Sequence, residues 1–224
     1  MSATISEQAV KIAPSGLAGD LVIPERAQGI VMFAHGSGSS RHSSRNRYVA
    51  GVLQQGGLAT LLFDLLTGPE ERADTATGQF RFDIALLAKR LIEATEWLRR
   101  GLAPHGLYVG FFGASTGAGA ALLAAAERPS LVHAVVSRGG RPNLAGSALP
   151  RVHAPTLLIV GANDRPVIEL NQQALTALQC EKELSIVPGA THLFEESGTL
   201  EQVAKLARKW FELNLKVELP YGGT

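Results

Sequence analysis

Short apolar runs recur along the chain, separated by longer stretches in which apolar residues return every three or four positions. The runs cover residues 30–34, 59–63, 107–112, 132–136 and 156–160, with a later and shorter one at 184–187. They are apolar at odd and even positions alike, as strands covered on both faces must be. Ahead of them, 8–12 and 19–23 flank Pro14-Ser15-Gly16, a pattern that predicts an antiparallel hairpin. Ile84, Leu87, Leu91, Ala94 and Leu98 make one apolar helical face, and Leu200, Val203, Leu206, Ala207 and Trp210 make another. Strands alternating with helices predict an α/β chain built on a mostly parallel, eight-stranded twisted sheet with helices on both faces. No internal repeat, low-complexity tract or linker interrupts the pattern, so a single domain over 1–224 is expected.

Ligands of open parallel sheets bind beyond the carboxyl ends of the strands. The residues that follow each apolar run therefore matter most. They are His35-Gly36-Ser37-Gly38, Asp64, Gly113-Ala114-Ser115-Thr116-Gly117, Arg138-Gly139-Gly140-Arg141, Asn163-Asp164 and Pro188-Gly189-Ala190-Thr191-His192. Small and polar residues thus gather at the edge where chemistry is expected.

Gly113-Ala114-Ser115-Thr116-Gly117 fits Gly-x-Ser-x-Gly, the nucleophile elbow. A serine on so tight a strand-to-helix turn leaves no room for side chains two positions either way, which glycine provides. The turn also sets Ser115 at the start of a helix, from Thr116 to about residue 126, whose free amides favour negative charge. An unreactive Gly/Ser-rich connection would share the five residues. The apolar strand before and the small-residue helix after supply the context that the elbow needs.

The order nucleophile, acid, histidine is completed by Asp164 after the seventh strand and His192 after the eighth. His42, His105, His133 and His153 do not follow the last strand, and no acid follows the sixth, so neither position has a close rival. The amides of Ser37 and Thr116 are the candidate oxyanion hole, with His35 supporting its loop.

Composition removes several other classes. Apolar residues make up 46% and charged residues 18%, which reads as globular. A formal net charge of +1 calls for neither nucleic acid nor an anionic membrane as partner. The single cysteine, Cys180, suits a reducing compartment; with neither a signal-peptide pattern nor a long apolar span, a cytoplasmic location is expected. The strand and helix alternation is shared by dinucleotide-binding folds, but no Gly-x-Gly-x-x-Gly follows the first parallel strand, and no Gly-Lys-Ser or Gly-Lys-Thr loop is present.

On His35-Gly36-Ser37-Gly38, the elbow, Gly161-Ala162-Asn163-Asp164 and Gly189-Ala190-Thr191-His192, the sequence resembles the α/β-hydrolase superfamily, and within it the dienelactone-hydrolase-like branch. The resemblance covers nearly the whole chain. It implies hydrolysis of a small-molecule ester, with neither metal nor organic cofactor, by a monomer or homodimer. One departure stands out: dienelactone hydrolases use cysteine at the nucleophile, where this chain has Ser115. That favours a general esterase acting on small or short-acyl esters. Only fifteen residues separate Arg138 from Ala154, too few for a substantial lid domain.

Arg138 and Arg141 flank a Gly-Gly pair at a strand end, while Arg41, Arg45 and Arg47 cluster after the candidate oxyanion loop. Arg138, Arg141 and Arg41 are candidates for binding an anionic substrate, because guanidinium forks match carboxylate and phosphate. Internal pairing with Asp64, Glu70 or Glu71 is the alternative. The same three catalytic side chains would also serve an acyltransferase, a thioesterase or a peptidase. A non-catalytic binding protein on this fold is a further alternative, since fold alone does not dictate function.

Overall fold

The computed structural model describes residues 5–101 and 107–216. His105 therefore lies outside the described residues. Eight strands form one sheet in the order β1-β2-β4-β3-β5-β6-β7-β8. They are β1 (Ile5–Ile12), β2 (Leu17–Pro24), β3 (Gly29–Ala34), β4 (Ala59–Phe63), β5 (Tyr108–Ala114), β6 (Ala134–Arg138), β7 (Thr156–Gly161) and β8 (Lys182–Val187). β1 and β2 form the expected hairpin, with Ile12 opposite Leu17, and β2 also runs antiparallel to β4. Every other pairing is parallel.

Alternation within a strand sorts side chains to opposite faces. In β3, Ile30, Met32 and Ala34 join the core on one side of the sheet, and Val31 and Phe33 join the core on the other. The first side is closed by α3 (Ile84–Gly101), α4 (Thr116–Glu127) and α5 (Arg165–Ala177), the second by α1 (Ser44–Gln55) and α6 (Thr199–Asn214). A shorter helix, α2 (Gly68–Thr77), precedes α3. On the outer strand β8, Lys182, Glu183 and Ile186 face solvent, so its apolar run is the weakest in the sequence.

The small residues of α4 let it press close to its neighbours. It is buried along nearly its whole length, and a Cβ on Gly119 would come within 2.8 Å of Leu144. Leu144 belongs to a 3₁₀ segment, Pro142–Arg151, that fills the connection from β6 to β7. Among the described residues this connection lies on α4 and forms no lid. No helix among them is long and apolar enough to cross a membrane.

Candidate active site

Ser115 sits between β5 and α4 with φ 50° and ψ −119°, a region that residues with a side chain rarely adopt. The surroundings hold it there. Its amide donates to the Arg138 carbonyl at 3.3 Å, and its carbonyl accepts from the amides of Ala118 at 3.1 Å and Arg141 at 3.0 Å. The two glycines of the elbow are required by contact. A Cβ on Gly113 would lie 2.4 Å from the backbone of Ala118, and one on Gly117 would lie 2.2 Å from the Ala34 carbonyl oxygen.

Asp164 and His192 come from adjoining loops after β7 and β8. Asp164 opens α5 without capping it, which leaves its carboxylate free to turn sideways. His192 Nδ1 lies 2.6 Å from Asp164 Oδ2. That contact assigns the proton to Nδ1 and leaves Nε2 as the acceptor. The two loops are laced together by Asn163, whose amide donates to the Ala190 carbonyl and whose Nδ2 donates to the Gly189 carbonyl, each at 2.9 Å. On the other flank, Glu196 accepts from the Thr191 amide at 3.1 Å and its hydroxyl at 2.6 Å. These bonds hold the Glu196 carboxyl below its ordinary pKa.

Ser115 and His192 face one cleft of about 240 Å³, whose walls include Ser43, Arg45, Asn46 and Arg138. No hydrogen bond joins Ser115 to His192 among the described residues. Such contacts commonly tighten when substrate is bound.

The loop after β3 closes the same cleft with Gly36, Ser37 and Ser39. His35 anchors it. His35 Nε2 accepts from the Leu65 amide at 3.1 Å, and Nδ1 lies 3.0 Å from the Gly36 carbonyl. Burial lowers the His35 pKa, which suits a neutral ring that donates at one nitrogen and accepts at the other. The Ser37 amide is not free: it donates to the Thr116 hydroxyl at 2.9 Å. A second hollow lies beyond this loop, walled in part by Leu65, Leu66 and Leu87.

The three arginines read from the sequence part company. Arg138 lines the cleft. Arg141 turns its Nε to Asn143 Oδ1 at 3.2 Å, and its backbone rather than its side chain serves the elbow. The expectation for Arg41 is corrected. Its guanidinium is paired with Asp64, its backbone amide donates to the same carboxylate at 2.9 Å, and Asp20 lies 3.7 Å away. With its charge met by two carboxylates, it is not left to bind a ligand. Arg45, which sequence reading placed only in a basic cluster, is the second arginine on the cleft. Cys180 is remote from this chemistry. Its thiol meets the Thr156 hydroxyl at 3.8 Å, at the amino end of β7, and burial pushes its pKa up.

Comparison with known proteins agrees with this architecture. The sequence profile of the dienelactone hydrolase family matches residues 17–216. The crystal structure of a dienelactone hydrolase from Anabaena variabilis is 61% identical and superposes with a TM-score of 0.91, over 96% of this chain and 99% of that one. An esterase from Pyrococcus furiosus shares the fold, with a TM-score of 0.74 at 16% identity, over 95% of this chain and 94% of that one. Proteins from two strains of Mycobacterium tuberculosis, provisionally named phosphoribosyl transferases, are 62% identical over 205 residues. Those residues make up 92% of this chain and 45% of the mycobacterial proteins, so the chain spans about half the length of these relatives.

Proposed function

The chain belongs to the dienelactone hydrolase family, and from that premise we propose that it is a serine hydrolase cleaving carboxylic esters, with Ser115 as nucleophile, His192 as base and Asp164 as the acid that orients it. The observation that carries this reading is the 2.6 Å His192–Asp164 contact on the cleft that also holds Ser115. Asp164 holds the imidazole with Nε2 toward the cleft and stabilises the imidazolium once Nε2 has taken the serine proton. Ser115 Oγ attacks the ester carbonyl, the C–O bond to the alcohol breaks, and His192 returns the proton to the departing alcohol. Water, activated by the same nitrogen, then releases the acid from Ser115.

Negative charge developing on the carbonyl oxygen falls at the start of α4, where the Thr116 amide is the first donor. The Ser37 amide is the second, held in place by the Thr116 hydroxyl and shared between that hydroxyl and the oxyanion. With no lid over the cleft among the described residues, short acyl groups fit better than long lipid chains. The transferase name of the mycobacterial relatives applies to longer proteins; in this chain, the elbow and the His–Asp pair support acyl hydrolysis.

Labelling by a fluorophosphonate, followed by peptide mapping, tests the assignment together with turnover of a panel of short and long esters. The label is expected on Ser115, with hydrolysis confined to the short esters and lost in Ser115→Ala. A folded Ser115→Ala protein that kept most of its activity would overturn it.

A further inference from the structure

Arg138 stands beside the nucleophile with a charge that no carboxylate meets among the described residues. It ends β6 in register with Ala114, the residue before Ser115, and is only 6% exposed. Nη2 donates to Asn46 Oδ1 at 3.3 Å, and the guanidinium carbon lies 5.8 Å from the centre of the Phe194 ring. Burial, and then the nearby charge of Arg45, bring its pKa down to about 10, so it remains a cation at neutral pH. A charge withdrawn from water without a counter-charge is costly, and one kept on a reactive cleft marks a place where a ligand supplies the missing charge.

Arg45 reaches the cleft from the first turn of α1. Its Nη1 meets Glu195 at 2.9 Å, but the Glu195 side chain is 64% exposed, while Arg45 Nε is buried without a partner. An exposed pair of this kind holds weakly. Arg45 is therefore free to turn from Glu195 toward a less solvated anion. Ser43 accepts from the Asn46 amide at 3.3 Å as the cap of α1, which leaves its hydroxyl proton to donate. A carboxylate offers two coplanar oxygens, which a single guanidinium fork satisfies. Two guanidinium groups, Arg138 from β6 and Arg45 from α1, with the Ser43 hydroxyl at the start of α1, suit a tetrahedral group with three acceptor oxygens.

We propose that this cleft recognises a phosphate group carried by the ester substrate, held between Arg138 and Arg45 beside Ser115. The location of the scissile ester rests on the hydrolase reading above; the phosphate site does not need turnover to be detected.

Acetyl esters of hydroxypropyl phosphate, hydroxybutyrate and butanol form a matched series. The phosphate ester is expected to show the highest kcat/KM, at least about tenfold above the butyl ester, mainly through KM. In Arg45→Ala that ratio falls toward one, and in Glu195→Gln, which releases Arg45, it is kept or raised. Arg45 is the better target because it is partly exposed, whereas buried Arg138 also packs the sheet edge. Equal turnover of butyl and phosphate esters, preference for the carboxylate ester, or an unchanged ratio in Arg45→Ala would each overturn the proposal. If none of the three esters is cleaved, the hydrolase reading fails by itself, and calorimetry with inorganic phosphate decides the site. Binding to the Ser115→Ala protein, weakened at least about tenfold by adding Arg45→Ala, supports it; no heat of binding at millimolar phosphate refutes it.

Discussion

The amide of Ser37 donates to the hydroxyl of Thr116, so the loop after β3 is tied to the residue that follows Ser115. The bond sets the spacing of the two candidate oxyanion donors. Thr116→Val keeps the shape and removes the acceptor, which leaves a part-buried amide unpaired at a cost of roughly 1–3 kcal/mol. The expected result is a drop in kcat of about tenfold or more, with little change in KM. Thr116→Ser, which keeps the hydroxyl, is expected to retain most of the activity, and steady-state kinetics of the two variants checks this.

Ser115 is held at φ 50°, and such backbone costs of order 1–3 kcal/mol for a residue with a side chain. Glycine adopts this region freely, at some cost in unfolded-state entropy. Ser115→Gly is therefore expected to be inactive yet more stable, by about 1 kcal/mol in chemical denaturation. Ser115→Ala, equally inactive, keeps the strain and is expected to show no such gain.

Asp164→Asn preserves size but reverses the logic of the 2.6 Å contact. An amide can present its NH₂ to the ring, which then holds its proton on Nε2 and no longer accepts from Ser115. A loss of order 10⁴ in kcat is expected, with the fold intact by circular dichroism. A loss below about tenfold would remove Asp164 from the mechanism.

The strands, and the strand ends at which the candidate site residues stand, were legible because both depend on local sequence. The doubly buried runs announce β3 to β7, and Ser115, Asp164 and His192 each follow a strand end. α2 escaped periodicity because its one buried residue is Asp74, so there is no apolar stripe to read. Its start was nevertheless written in the sequence, as Thr67 and Glu70 form a capping box around Pro69. The fates of the arginines were legible only as alternatives, with pairing to Asp64 among them but no sign of which arginine would take it. Arg41 meets Asp64 and Arg138 meets Asn46 only once the sheet order and α1 are in place. Charge pairing through space has no period along the chain.

His35 carries the clearest pH dependence. Its pKa is lowered by burial, although the Gly36 carbonyl and the charges of Asp64 and Glu71 pull the other way. A histidine whose folded pKa is depressed binds fewer protons folded than unfolded, so its contribution to stability is complete above the unfolded value of about 6.5 and is lost as pH falls through the folded one. Protonation would also remove the acceptor for the Leu65 amide and loosen the loop that carries Ser37. Denaturant titrations are thus expected to show stability falling as the pH is lowered below about 6.5, with a shallower slope in His35→Gln. The slope does not vanish in that variant, because His133, also lowered by burial, acts with the same sign. A His35→Gln protein with the unaltered slope would show that the ring is not the group being titrated.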